Sequence, residues 1–250
     1  MARGGLSGVD RERVAAEPGS PHCPEIRSPA CFTHHMTTMP MFPLASVLFP
    51  AMPTALRIFE ERYMVMLSRV LQRDTAEFGI VLIERGPEAG GGEKRFDIAT
   101  VARITQLEAD AGNIGLVAWG DRRVEVTQWL DDNPHPQAEV RDIPELAWSD
   151  TLQPLRDEAE QVVRRTLAKA SEFSEQRWSS DVELSDDPIQ AAWQLAGIAP
   201  LGPLDQVRLL QATTAEGLLR GIIDATNGIA EVLTVDWDEE FRFPDDDDEG

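Results

Sequence analysis

Lysine is almost missing from this chain of 250 residues: only Lys94 and Lys169 occur, and arginine supplies the other cations. Acids outnumber bases 44 to 23, a formal net charge of -21. A surface that negative repels phosphate backbones and anionic head groups, which argues against nucleic-acid and membrane partners. Cysteine is scarce too. Cys23 and Cys31 both precede the apparent domain, so no disulfide framework is possible and a reducing, cytoplasmic setting is expected. No stretch approaches the roughly 18 consecutive apolar residues of a membrane span. The first residues lack an apolar signal core, because glycine and charge break the run from Leu6 to Arg13.

What is present divides into four segments. Residues 1–38 are rich in Gly, Pro, Ser and Arg without periodicity and are expected to be a disordered leader. Met36 or Met39 can each serve as the start, which would make that leader an artefact of the start site. Residues 39–145 read as β-rich, 146–233 as a helical bundle, and 234–250 as an acidic, solvated tail in which Asp245 to Glu249 is unbroken negative charge.

In the β-rich segment, Phe78-Gly79-Ile80-Val81-Leu82-Ile83 is apolar without alternation, as for a strand buried on both faces. Residues 97–107 and 123–129 alternate as half-buried strands, with turns expected at Asp110–Asn113 and at Gly120-Asp121. Short strands and tight turns predict an antiparallel sheet curled into a barrel. One helix interrupts them at 60–73, with Tyr63, Met66, Leu67, Val70 and Leu71 on its apolar face. From Thr151 the period becomes helical: Leu152, Leu155, Ala159, Val162, Val163, Leu167, Ala170 and Phe173 form one stripe. Asp187-Pro188 starts a second helix and Pro203 a third. The capping-box pattern Thr213-Thr214-Ala215-Glu216 opens the last.

Chemistry-bearing patterns are weak. The glycine-rich loop at 85–93 leads into a strand, and Lys94 is followed by Arg95, so it does not meet the P-loop requirement. Lys169 lies on a polar helix face with Ser171 pointing elsewhere, and Lys94 is in the loop, so neither forms a serine–lysine pair. His135, between two prolines, reads as a turn histidine. His22, Cys23, Cys31, His34 and His35 are zinc-type donors, but Cys-x7-Cys is no finger spacing. No catalytic residue, metal or cofactor is expected. Trp119, Trp129 and Trp193 read as packing residues, whereas Trp148 and Trp178, in or near loops, are candidate partner contacts.

The order Pro43-Leu44, Val47-Leu48-Phe49-Pro50, then Leu56-Arg57-Ile58-Phe59-Glu60-Glu61-Arg62-Tyr63 resembles the opening of the amino-terminal substrate-binding domain of Lon proteases. The likeness continues through Phe78–Val81, Thr100–Ile104 and Gly120–Val124, to Leu209-Leu210 in the helical half, covering about 40–232. In that family a Gly-x-x-Arg turn closes a hairpin, and Gly120 and Arg123 fit it. No ATPase or peptidase pattern follows. The resemblance implies an α+β protein, a PUA-like β pseudo-barrel followed by a small α-helical bundle. It also implies a non-enzymatic module that binds unfolded or extended polypeptide segments, or a protein partner, in protein quality control.

Phe59, Glu60, Arg62, Tyr63, Arg123 and Trp148 are the candidate peptide contacts. The structural reading beside this places Phe59 and Tyr63 in the core, Glu60 on the helix dipole and Arg62 in an ion pair. The competing function is RNA binding, since the PUA-like group includes RNA binders. It would need a basic strip from Arg95, Arg103, Arg122 and Arg123.

Overall fold

The computed structural model describes residues 36–86, 92–110 and 113–234. The expected leader up to residue 35 with its zinc-type donors, the loop tip at 87–91, and the acidic tail from 235 lie outside these residues. Six strands carry the first half: β1 (Thr37–Leu44), β2 (Pro53–Ile58), β3 (Glu77–Arg85), β4 (Lys94–Asp110), β5 (Asn113–Leu130) and β6 (Gln137–Asp142). Helix α1 (Glu61–Val70) separates β2 from β3. The second half holds α2 (Gln153–Ala170), α3 (Pro188–Ile198), α4 (Pro203–Leu210) and α5 (Ala215–Val232).

The strand order is β2-β5-β4-β3-β1-β6, and β5 also pairs with β6. That last pairing closes a ring of β5, β4, β3, β1 and β6, with β2 appended outside it. Ring closure depends on the length of β5, which has 18 residues. Its first part, Ile114–Trp119, pairs with β2, and its later part, Val124–Leu130, with β6. Register shifts between Thr100 and Ala102, between Ile104 and Gln106, and between Val126 and Gln128 bend the long strands around the ring.

Two features differ from the sequence expectation. The sheet is not wholly antiparallel: β1 and β3 run parallel, Met41 beside Gly79 and Leu44 beside Leu82. Parallel neighbours need a crossover, and β2 with α1 supplies it. Gly120-Asp121 is not a turn either. Strand β5 runs straight through it, and Gly120 exchanges backbone hydrogen bonds with the bend after β1: Ala51 N–H donates to the Gly120 carbonyl at 2.8 Å and Gly120 N–H to the Met52 carbonyl at 2.9 Å. A Cβ at position 120 would lie 2.2 Å from the Phe49 carbonyl oxygen. Glycine is there for close backbone approach.

β1 begins at Thr37, inside the segment assigned to the leader, and Thr37 and Thr38 already pair with Val140 and Glu139 of β6. A start at Met39 would remove that pairing.

Met39, Met41, Val81, Ala99, Val101, Val124, Val126, Ala138 and Val140 form a small cluster drawn from every strand of the ring, which is the barrel interior. The opposite faces of the same strands join α1 and all the later helices in one larger cluster, from Phe42 and Phe78 to Leu219 and Ile222. Strand β3 serves both cores, which explains its unbroken apolar run from Phe78 to Leu82. Each large side chain so buried stabilises the fold by about 1.5–3 kcal/mol relative to exposure.

The helical half begins as its caps predict. Asp187 accepts from Gln190 N–H at 2.8 Å, and Thr214 Oγ1 accepts from Gly217 N–H at 3.0 Å. The full capping box is not formed, since Gly217 occupies the position that needs an acid, and Glu216 instead pairs with Arg220. Helix α2 ends at Ala170, so Phe173 falls in the following turn and is 67% exposed. Leu71 is likewise past the end of α1 and exposed.

Candidate functional site

Where the barrel meets the helices, a cleft of about 440 Å³ opens beside Gly120. One wall is β5 from Trp119 to Arg123 with the Pro50-Ala51 bend behind it. The other is α3, through Ile189, Gln190 and Trp193. The chain leaving β6, Asp142 to Leu146, closes the end. The base is apolar, with Leu146, Ile189 and Trp193 all buried. The mouth is polar except for Trp119, which is 41% exposed. Ala51, in the wall, holds φ 58°, the left-handed region that costs a non-glycine residue about 1 kcal/mol or more.

Arg123 forms part of the base and is only 4% exposed. Its Nη1 donates to the carbonyls of Leu210 at 2.7 Å and Ala212 at 2.6 Å, and its Nη2 to that of Pro144 at 3.2 Å. Its guanidinium lies 4.8 Å from the centre of the Trp193 ring. Burial pulls its pKa down from the ordinary arginine value. Arg122, next along, points to the mouth and is held by Glu77 at 3.1 Å, Asp121 at 3.1 Å and Asp142 at 3.0 Å. Arg103 joins this network through Glu77 and Asp121. Glu145, exposed at the mouth, makes no ion pair with any described residue.

Of the six residues nominated by sequence, Arg123 alone lines the cleft. Its donors hold the barrel to the helices, so it shapes the base and is not free to grip a ligand. Phe59 is 60% exposed, which corrects the reading that placed it in the core. It follows the last residue of β2 and precedes α1, with its side chain outside both cores. Tyr63 is a core residue as that reading held, 3% exposed and 4.3 Å between ring centres from Phe42. Burial pushes its hydroxyl pKa well up. Arg62 lies over the Tyr63 ring at 4.5 Å and bonds Glu60 at 3.1 Å. Trp148 is half-buried against the large core. The structure therefore does not bring Phe59, Glu60, Arg62, Tyr63 and Trp148 to the cleft.

The residue missed by sequence is Trp119, read there as packing. An aromatic residue in an alternating strand, two positions before Asp121 and three before Arg122, was the available signal.

The groups weighed for catalysis are engaged elsewhere. Lys94 pairs with Glu84 at 2.7 Å, and Ser171 Oγ donates to the Ala168 carbonyl at 2.6 Å. His135 lies in the bend before β6, as a turn histidine would, and is buried at 2% exposed, with Nδ1 3.0 Å from the Pro136 carbonyl and Nε2 3.4 Å from Arg69 Nη1. Among the described residues no group of three or more His, Cys, Asp or Glu side chains is placed to hold a metal ion, and no helix is long and apolar enough to cross a membrane.

A closed β ring with an appended strand, sharing its outer core with helices, defines the class as a mixed α+β, β-rich domain plus helices. The chain belongs to the family of the ATP-dependent protease La (LON) substrate-binding domain, whose model matches residues 38–227. Among solved structures it is similar to the Lon N-terminal domain protein from Xanthomonas campestris, with a TM-score of 0.54 and 24% identity over 75% of this chain and 98% of that one. It is also similar to the N-terminal domain of the Mycobacterium avium complex Lon protease, with a TM-score of 0.56 and 18% identity over 76% and 98%. At these identities the two structures speak for the fold. A search of curated proteins found no match.

Proposed function

We propose that this chain is a non-catalytic module that takes up extended polypeptide segments in the cleft beside Trp119. Family membership supports a substrate-binding role; the cleft supports the place. The observation that carries the reading is an exposed tryptophan at the mouth of a concave site whose base is apolar and buried. Aromatic anchors of this kind contribute most where they border a desolvated pocket. An unfolded client offers apolar side chains for the base and backbone amides for the polar rim. Such a module would act in cytoplasmic protein quality control, engaging chains that expose what folded proteins bury.

The RNA-binding alternative requires unpaired arginines on the barrel. Arg95 is bound to Glu93 at 2.6 Å, Arg103 and Arg122 to the Glu77 network, and Arg123 to carbonyls. None of the four offers a free cation to phosphate, which favours polypeptide.

The test is fluorescence anisotropy with a labelled, unfolded casein fragment. Trp119→Ala is expected to weaken binding at least about tenfold with an unchanged melting temperature. Phe59→Ala, remote from the cleft, should bind as the parent does. Unaltered affinity in Trp119→Ala, or a loss confined to Phe59→Ala, removes the cleft from consideration.

A further inference from the structure

The mouth of the cleft is chemically lopsided. Three carboxylates line it, Asp121, Asp142 and Glu145, beside the guanidinium group of Arg122, and Glu77 and Arg103 join them from outside the lining through ion pairs. Both arginines are spent on Glu77, Asp121 and Asp142. Glu145 is left over, exposed and without an ion-pair partner among the described residues. The chain as a whole carries a net charge of -21, so the surrounding field also favours a cation approaching the cleft.

The aromatic rings point the same way. The rings of Tyr63, Trp129, Trp193 and Trp178 each carry an arginine of this same chain, at 4.5, 4.8, 4.8 and 5.6 Å from the ring centre. Trp119 carries none among the described residues, although Arg103 is its cross-strand partner in β4. Arg103 turns instead to Glu77 and Asp121. An open indole face and an unpaired carboxylate therefore line one cavity, and the base of that cavity already contains an arginine on a tryptophan, Arg123 over Trp193. A cation over indole with a carboxylate nearby is a favourable pairing, stronger where water is partly excluded.

We propose that the cleft selects extended segments bearing a basic side chain, with arginine preferred, by stacking the guanidinium on Trp119 and pairing it with Glu145. Arginine is favoured over lysine because its planar, weakly hydrated head suits the indole face and the carboxylate together. This inference rests on the cleft being the binding site. It adds the chemistry of what that site accepts.

The experiment uses the full chain and three labelled peptides of one extended sequence, differing only in a central Arg, Gln or Glu. In anisotropy titrations at moderate salt, the Arg peptide should bind about tenfold tighter than the Gln peptide, with the Glu peptide weakest. Glu145→Gln should collapse the difference between the Arg and Gln peptides, and raised salt should narrow it. Equal affinity for all three peptides, with Trp119→Ala still weakening each, overturns the basic preference and leaves the cleft as the binding site. Binding of all three that is indifferent to Trp119→Ala, or binding of none, overturns both.

Discussion

Arg123 and His135 show how single polar side chains hold this fold where apolar contact alone would not. Arg123 satisfies three carbonyls at the end of α4 and after β6, groups that would otherwise be left without donors at a helix terminus. Its Gly-x-x-Arg relation to Gly120 is then easy to understand. Gly120 admits the Phe49 backbone, and three residues on, Arg123 reaches across to the helices. His135 works just before the start of β6. Its Nδ1–H must donate to the Pro136 carbonyl, so the neutral ring presents the Nε2 lone pair to Arg69, which itself donates to the Asn133 carbonyl at 2.8 Å. The ring thus latches α1 to the β5–β6 connection.

Burial lowers the His135 pKa; the hydrogen bond to Pro136 opposes it, the charge of Arg69 adds to it, and Asp132 and Arg73 contribute less, in opposite directions. The folded state therefore binds the proton less readily than the unfolded chain, whose histidine titrates near 6.5. Stability is full above that value and falls as the pH drops below it, until the folded-state pKa is passed. Loss of negative charge on acidification relieves self-repulsion and acts in the opposite direction, but equally in any variant. Urea denaturation from pH 8 to pH 5 should show a stability decline below about 6.5 that His135→Asn lacks. Parallel curves for the two proteins would contradict the latch.

Strand β5 is the element on which both barrel and cleft depend, and its continuity through Gly120-Asp121 was not legible in the sequence. Its neighbours were readable because their signals are local. Asp187-Pro188 and Thr214 mark helix starts through side-chain oxygens that reach only a few residues, and the unbroken run at 78–83 reports burial on two faces. Gly120-Asp121 has the composition of a turn, but its glycine answers a backbone 71 positions earlier in the chain, at Phe49. No window of sequence displays that. Phe59 failed for the opposite reason: a large apolar residue suggests burial, yet its place between β2 and α1 faces it outward.

The close backbone approach makes Gly120→Ala a sharp test of the continuous strand. The clash is with backbone, and the paired hydrogen bonds to Ala51 and Met52 leave no cheap relaxation. A loss of at least about 2 kcal/mol is expected. Gly115→Ala, where the nearest atom to the added methyl would be the Glu108 carbonyl at 3.9 Å, should change stability by no more than about 0.5 kcal/mol. Were position 120 a solvent-exposed turn after all, the two substitutions would be equally mild.

At the scale of the whole molecule, the boundary near residue 145 separates strands from helices but does not separate cores. The described residues belong to one compact unit, and the large apolar cluster draws on both halves, from Phe42 of β1 to Ile222 of α5. Phe49 stacks on Trp193 at 6.0 Å between ring centres, Met52 packs against Gly197, and Gln194 donates to the Ala51 carbonyl at 3.2 Å. The cleft exists because of this joint: one wall is barrel, the other is α3. A ligand held there would bind both halves at once, and neither half alone could form the site. The barrel interior by itself is small, mostly valine, alanine and methionine, while the outer faces of β1 and β3 need α1 and the later helices to be buried. Cooperative unfolding follows from a shared core. Amide hydrogen exchange along a urea series should show β3 and α5 losing protection at the same midpoint, and residues 36–145 expressed alone, with β1 whole, should give no cooperative transition. Two midpoints separated along the series, with the strands surviving the helices, would mean that the barrel stands without its partner and that the cleft wall on α3 can detach from it.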